Sequence, residues 1–163
     1  MDRVSKSDRS RMMSKVRSKD TYPEILIRNS LYHSGVRYRL HVSNLPGKPD
    51  IVVRKHRTII LINGCFWHQH GCRWSSMPKT NTEWWYQKLM SNKNRDIENL
   101  NVLLALKWKV VLIWECGLKG KQAIPLQVIV DTVNEFMIDN NKLLCINSRG
   151  IELVNEVNEV YYE

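Results

Sequence analysis

No run in this 163-residue chain approaches the roughly 18–20 consecutive apolar residues that a membrane-spanning helix needs. The N-terminus is charged from Asp2 onward and has no apolar signal-peptide core, so a cytoplasmic location is expected. Internal repeats and low-complexity linkers are also missing. With 43% hydrophobic and 25% charged residues, the chain reads as one globular domain with its own core. The last fourteen residues contain no Lys or Arg but hold Glu152, Glu156, Glu159 and Glu163. The formal charge is +9, so residues 1–149 carry +13, the four C-terminal glutamates making the difference. That concentration of positive charge points toward a polyanion such as nucleic acid.

Cysteine is scarce, and its placement is informative. Cys65 and Cys72 bracket His70, and Cys116 follows much later. Without a secretion signal, a histidine between two cysteines favours metal over disulfides. Three thiolates and one imidazole make a closed, tetrahedral zinc site of the structural kind. The competing reading is four unrelated core cysteines. Cys145 is left over as a small buried or half-buried hydrophobe.

The pattern then divides the chain. Residues 1–20 form a basic arm, with Arg3, Lys6, Arg9, Arg11, Lys15, Arg17 and Lys19 against three aspartates. Met12, Met13 and Val16 give it a short apolar face, partly helical. Such an arm suits a phosphate backbone, although a frayed terminus has the same composition. Thr21-Tyr22-Pro23-Glu24 is a helix start with a capping box, and Ser34-Gly35 ends that helix. Residues 36–42 alternate like a strand with one wet face. Ile51-Val52-Val53 and Thr58–Ile62 read as short strands joined by a polar turn. A long helix is expected from Thr82 to about Leu106, broken near Ser91-Asn92. Trp108–Trp114 reads as a strand, Ala123–Ile138 as a helix, and residues 150–163 as an acidic tail. This order predicts an α/β fold with a central mixed sheet flanked by helices.

Asp50 opens a strand after the rigid Pro46-Gly47-Lys48-Pro49 turn. A carboxylate there suits a hard divalent cation, although an Asp after proline is more often a turn residue. The surrounding motifs are specific. Arg9-Ser10-Arg11-Met12-Met13, Arg17 to Thr21, Pro23-Glu24, Leu45 to Val52, Gly64-Cys65-Phe66-Trp67-His68 with Cys72, Thr82-Glu83-Trp84-Trp85, Arg95-Asp96 and Trp114-Glu115-Cys116 occur in order. This set, covering residue 9 to about 120, resembles the very short patch repair (Vsr) endonuclease family. Gly150-Ile151-Glu152-Leu153 is similar too.

The resemblance implies a restriction-endonuclease-like core in one domain, residues 21–163. It also implies nicking of one strand beside a thymine mispaired with guanine, left by deaminated 5-methylcytosine. Asp50 and the backbone carbonyl of Ile62 would hold catalytic Mg²⁺. His68 would be the general base or water-orienting group, and Glu24 and Asp96 would support the water and metal shell. Phe66, Trp67 and Trp85 would form a wedge in the base stack, met by Met13 from the opposite groove. The implied partners are mispaired double-stranded DNA and mismatch-repair proteins, and the implied state is a monomer.

Each role has a plainer competitor. The capping box accounts for Glu24, a surface histidine for His68, and pairing with Arg95 or Lys93 for Asp96. Core packing competes for the aromatics, and is the expectation for Trp84, Trp108 and Trp114. One position departs from the family: Asn63 stands where some members carry a catalytic histidine. Asparagine hydrogen-bonds but carries no proton at neutral pH. Two further readings therefore stand beside the nicking enzyme: a sequence-specific endonuclease cutting paired DNA, and a zinc-stabilised DNA-binding protein that no longer cleaves.

Overall fold

A computed structural model describes residues 5–161, apart from the side chains of residues 6 and 9. The readings at Asp2, Arg3 and Glu163, and at the Lys6 and Arg9 side chains, lie outside it. Helix α1 (Lys6–Ser14) is capped by the Ser5 hydroxyl, which accepts from the Asp8 N–H. Helix α2 (Tyr22–His33) starts where expected, with Pro23 in its first turn. Its capping differs in detail. Glu24 reaches back to the Asp20 N–H at 2.9 Å and accepts from the Thr21 hydroxyl at 2.9 Å. The Thr21 side chain therefore caps no backbone group.

Six strands follow in spatial order of sequence. These are β1 (Arg39–Leu40), β2 (Ile51–Val53), β3 (Thr58–Asn63), β4 (Lys109–Trp114), β5 (Leu143–Asn147) and β6 (Gly150–Leu153). The β1–β2, β2–β3 and β5–β6 pairs are antiparallel, while β3–β4 and β4–β5 are parallel. The sheet is thus mixed, as expected. Its parallel neighbours are joined by helices α3 (Thr82–Ala105) and α4 (Leu126–Ile138), as parallel strands require.

Alternation along the strands makes two cores. Val52, Ile59, Val110, Leu112, Trp114 and Cys145 face α3, against Leu100 and Leu103. Ile51, Ile60, Ile62, Val111, Ile113 and Ile146 face α2 and α4, against Ile27, Leu31, Ile129 and Val133. With both faces covered, the inner strands read as unbroken apolar runs.

Several expectations need correction. The stretch at 36–42 forms a strand of only two residues: His41 still donates its N–H to the Asp50 carbonyl at 3.1 Å, but its left-handed backbone (φ 47°) ends the extended run. Helix α3 is unbroken: the Asn92 amide projects sideways and donates to the Trp67 carbonyl at 3.1 Å. Pro125 delays α4 to Leu126. Trp84 is 58% exposed rather than core, whereas Trp114 is buried and Trp108 half-buried.

The C-terminal stretch is not a simple tail. It supplies β6, then a 3-10 turn over Val157–Val160 that buries Val157, Val160 and Tyr161 against the α3 side of the sheet. Tyr161 meets Trp114 edge-on at 5.4 Å. Glu152, Glu156 and Glu159 stay exposed while Val154, Val157 and Val160 face inward.

A chain ending at Asn155 should therefore lose several kcal/mol, at roughly 1.5–3 kcal/mol per buried apolar side chain. Urea unfolding checks this against Asn158→Ala, an exposed change expected to cost under about 0.5 kcal/mol. An unchanged midpoint for the shortened chain would return the segment to the surface.

Candidate metal centre and active-site cavity

The parallel register builds the cysteine cluster. Asn63, at the end of β3, lies opposite Trp114 at the end of β4. Two residues beyond each, Cys65 and Cys116 emerge side by side. The loop after Cys65 folds back on itself: the His70 N–H donates to the Cys65 carbonyl at 3.1 Å, and the Ser75 hydroxyl to the same oxygen at 3.0 Å. That return brings His70 and Cys72 to the two thiols. Gly117 allows the next turn to close, since a Cβ there would stand 3.1 Å from the Asn147 backbone.

The ligand atoms of Cys65, His70, Cys72 and Cys116 lie within 4.8 Å of one another. His70 Nδ1 is 3.5 Å from Cys116 Sγ. A sulfur and a nitrogen bound to one tetrahedral zinc ion stand about 3.6 Å apart, given the usual Zn–S and Zn–N lengths. The donor set and spacing therefore fit a metal ion. Hydrogen bonds from Cys65, His70 and Ser148 pull the Cys116 thiol far below its ordinary range, against the opposing effect of burial. Cys65, facing that thiolate and buried, is pushed up. The group is poised to trade a shared proton for a cation. The His70 ring stacks on Trp114 at 4.1 Å, fixing the loop to β4. Cys145 is buried in the sheet.

One cavity of about 800 Å³ opens beside this loop. Asp50 enters it from the start of β2, and Ile62, Asn63 and Gly64 from the end of β3. Trp67 and His68 come from the metal loop, Arg95, Asp96 and Asn99 from α3, and Glu24 from the start of α2. Residues 16–19 of the arm complete the wall. Asp50 and His68 thus share one cavity. So do Glu24, Asp96, Asn63 and Ile62.

The electrostatics of the cavity are uneven. Asp50 Oδ2 accepts from the Ile62 N–H at 2.8 Å. Burial pushes the Asp50 carboxyl up to about 6; the Glu24 carboxylate adds to this, while the Ile62 N–H, His41 and His68 work against it. Two neighbouring carboxylates with one desolvated is a donor set that suits a hard divalent cation. His68 Nδ1 is hydrogen-bonded to Asp96 Oδ2, and both are partly buried. Asp96 therefore faces His68, not Arg95 or Lys93.

The aromatic residues divide by exposure. Trp85 is buried, and Phe66 and Trp67 lie over it half-buried, at centroid distances of 5.5 and 6.0 Å. Met13 is exposed on α1 and does not line the cavity. Sequence reasoning missed His41 and Asn99 as cavity residues, which only their fold positions reveal, and gave Arg95 a place in a motif but no role. Asp20, Glu24 and His41 also cluster within 4.8 Å, but Arg28 already occupies Asp20 at 2.5 Å.

Comparison with known proteins gives this arrangement a context. Residues 1–74 match the family model described as DNA mismatch endonuclease Vsr. The DNA mismatch endonuclease Vsr of Escherichia coli is 33% identical over 149 residues, covering 91% of this chain and 96% of that protein. The type II nicking enzyme V.NmeAIP of Neisseria meningitidis is 44% identical over 120 residues, covering 74% of this chain and 86% of the relative. V.XorIIP of Xanthomonas oryzae, also a type II nicking enzyme, is 42% identical over 123 residues, or 76% and 90%. A mixed sheet with flanking helices and these relatives define a DNA endonuclease. The chain belongs to the Vsr DNA mismatch endonuclease family. Among the described residues no helix is long and apolar enough to cross a membrane.

Two predictions follow from the geometry. Purified protein should carry one tightly held metal ion per chain; Cys116→Ser should lose it and melt at lower temperature, whereas Cys145→Ser should keep it. Metal analysis finding none in the parent protein would remove the cluster from that role. The second concerns Asp50. Its folded-state value lies above the ordinary 3.8, so protonated Asp50 adds stability below about pH 4, lost as pH rises through about 6. Asp50→Asn should thus be more stable than the parent at about pH 7.5 without divalent metal, by on the order of 2 kcal/mol. The two should converge near pH 4, and equal stability at both pH values would contradict the burial of that charge.

Proposed function

We propose that this chain nicks one DNA strand beside a thymine mispaired with guanine, using Mg²⁺ at Asp50 and structural zinc at Cys65, His70, Cys72 and Cys116. The observation that carries the reading is the shared cavity: a desolvated carboxylate next to Glu24, and an imidazole fixed by Asp96. Bound there with the Ile62 carbonyl, Mg²⁺ would supply neutralisation of the charge that develops on phosphodiester oxygens. With Nδ1 committed to Asp96, His68 offers Nε2 to a water as acceptor. Glu24 orders water beside Asp50. Asn63 hydrogen-bonds a phosphate oxygen or water without carrying a proton, so the leaving oxygen takes its proton from another group. Zinc held by Cys65, His70, Cys72 and Cys116 would take no part in the chemistry and would serve as a clamp on the loop.

Specificity comes from cost. A mispaired step is cheaper to unstack than a paired one. Phe66 and Trp67 act as the inserting edge, Trp85 backs them, and Met13 enters from the opposite groove. The arm of residues 1–20 lies along phosphates, and residues 21–163 form the endonuclease domain. A cytoplasmic, monomeric enzyme that hands its nick to mismatch-repair proteins completes the reading.

A second reading draws on the relatives named type II nicking enzymes: a sequence-specific endonuclease acting on paired DNA. Incubation with Mg²⁺ and two labelled duplexes, one with a T:G mispair and one fully paired, separates them. Nicking of the mispaired duplex alone, abolished in Asp50→Ala with binding retained, is the expected result. Cutting of paired DNA supports the second reading. Binding with no product from either duplex would leave a DNA-binding protein that has lost cleavage.

A further inference from the structure

The two loops joined by the cysteine cluster also carry positive charge that the cavity does not use. Trp74, in the turn after Cys72, is 40% exposed. The Arg73 guanidinium carbon lies over its indole at 4.8 Å from the ring centroid, and the Lys119 ammonium at 4.4 Å. Arg73 follows the second cysteine and Lys119 the third, so the metal clamp brings cations from both loops to one ring. Gly120 permits the arrangement: it adopts φ +83°, and a Cβ would stand 2.9 Å from Arg73 Nη2 and 3.7 Å from the indole. Arg73 is exposed and, among the described residues, pairs with no carboxylate.

The patch is continuous with the cavity. Lys119 Nζ donates to Glu115 Oε1 at 2.7 Å, and Glu115 lines the cavity on the Trp67 side, where both side chains approach Gly64. The electron-rich indole face attracts both cations, and Glu115 balances the charge of Lys119 while Arg73 has no carboxylate among the described residues. A rigid pair of cations beside the cutting site complements a polyanion that runs out of that site.

We propose that Arg73 and Lys119, held in place by Trp74, bind backbone phosphates of the DNA flanking the cut, outside the catalytic cavity. The inference rests on the reading of that cavity as the DNA-cutting site. The contact carries no sequence or mismatch information, because phosphates are alike in every duplex. It strengthens binding of mispaired and paired DNA equally.

The test is the salt dependence of binding. Fluorescence anisotropy with Ca²⁺ in place of Mg²⁺ gives the affinity of each duplex across a series of KCl concentrations. Arg73→Gln should weaken both duplexes several-fold and flatten the slope of log K against log salt by about 0.9. Lys119→Gln should do the same, and Arg73→Lys should restore the slope, whereas Lys142→Gln, exposed just before β5 at the opposite end of the sheet, should leave it alone. Metal content and melting temperature establish that each variant is folded, and Arg73 serves as the decisive position because it touches no cavity residue. Unchanged slope and affinity in Arg73→Gln would overturn the proposal, as would a loss confined to the mispaired duplex. The slope is read on any duplex, so a parent protein that binds DNA but cuts neither substrate would sink the cavity reading and not this one.

Discussion

The parallel pairing of β3 with β4 is the constraint on which the rest depends. It places the ends of two buried strands at the same level, so that Cys65 and Cys116 leave the sheet as neighbours. Loop closure is costly when left to chain entropy alone, and a metal ion at Cys65, His70, Cys72 and Cys116 would offset that cost. The stretch from Gly64 to Ser75 would otherwise be an exposed connection with little core of its own. It is tied to the rest of the fold by His70 stacked on Trp114 and by Asn92, which donates from α3 to the Trp67 carbonyl.

Rigidity there has electrostatic consequences. Asp50 and the Ile62 peptide belong to adjacent strands, so the carboxylate is oriented by the sheet and not by water. His68 rides on the clamped loop and is oriented by Asp96 from the helix behind. Asp50 and His68 reach one cavity from a strand end and a loop because sheet, loop and helix each fix one direction. The same loop lays Phe66 and Trp67 over Trp85, giving it an aromatic edge beside the His68 imidazole.

Much of this was legible in the residues themselves. The cysteine–histidine spacing announced the cluster, and the apolar runs at 51–53 and 58–62 announced strands with both faces covered. What stayed hidden depended on partners distant in sequence. Leu143–Asn147 is a short apolar run beside an acidic stretch, and only its pairing with β4 makes it a central strand. Residues 36–42 alternate as a strand does, but alternation does not guarantee a neighbour to bond with. Trp84 and Trp85 are successive on α3 and project about 100° apart, so one must face outward; nothing local says which. Asn92 resembled a helix breaker because its use, a carbonyl 25 residues upstream, lies in another element.

The most direct measurement is a crystal structure of the protein with a T:G duplex and Ca²⁺. The account predicts a cation on the Asp50 carboxylate, a backbone phosphate beside it, and His68 facing that phosphate from the other wall of the cavity. A complex in which the backbone passes outside the cavity, leaving Asp50 and His68 without DNA contact, would contradict it.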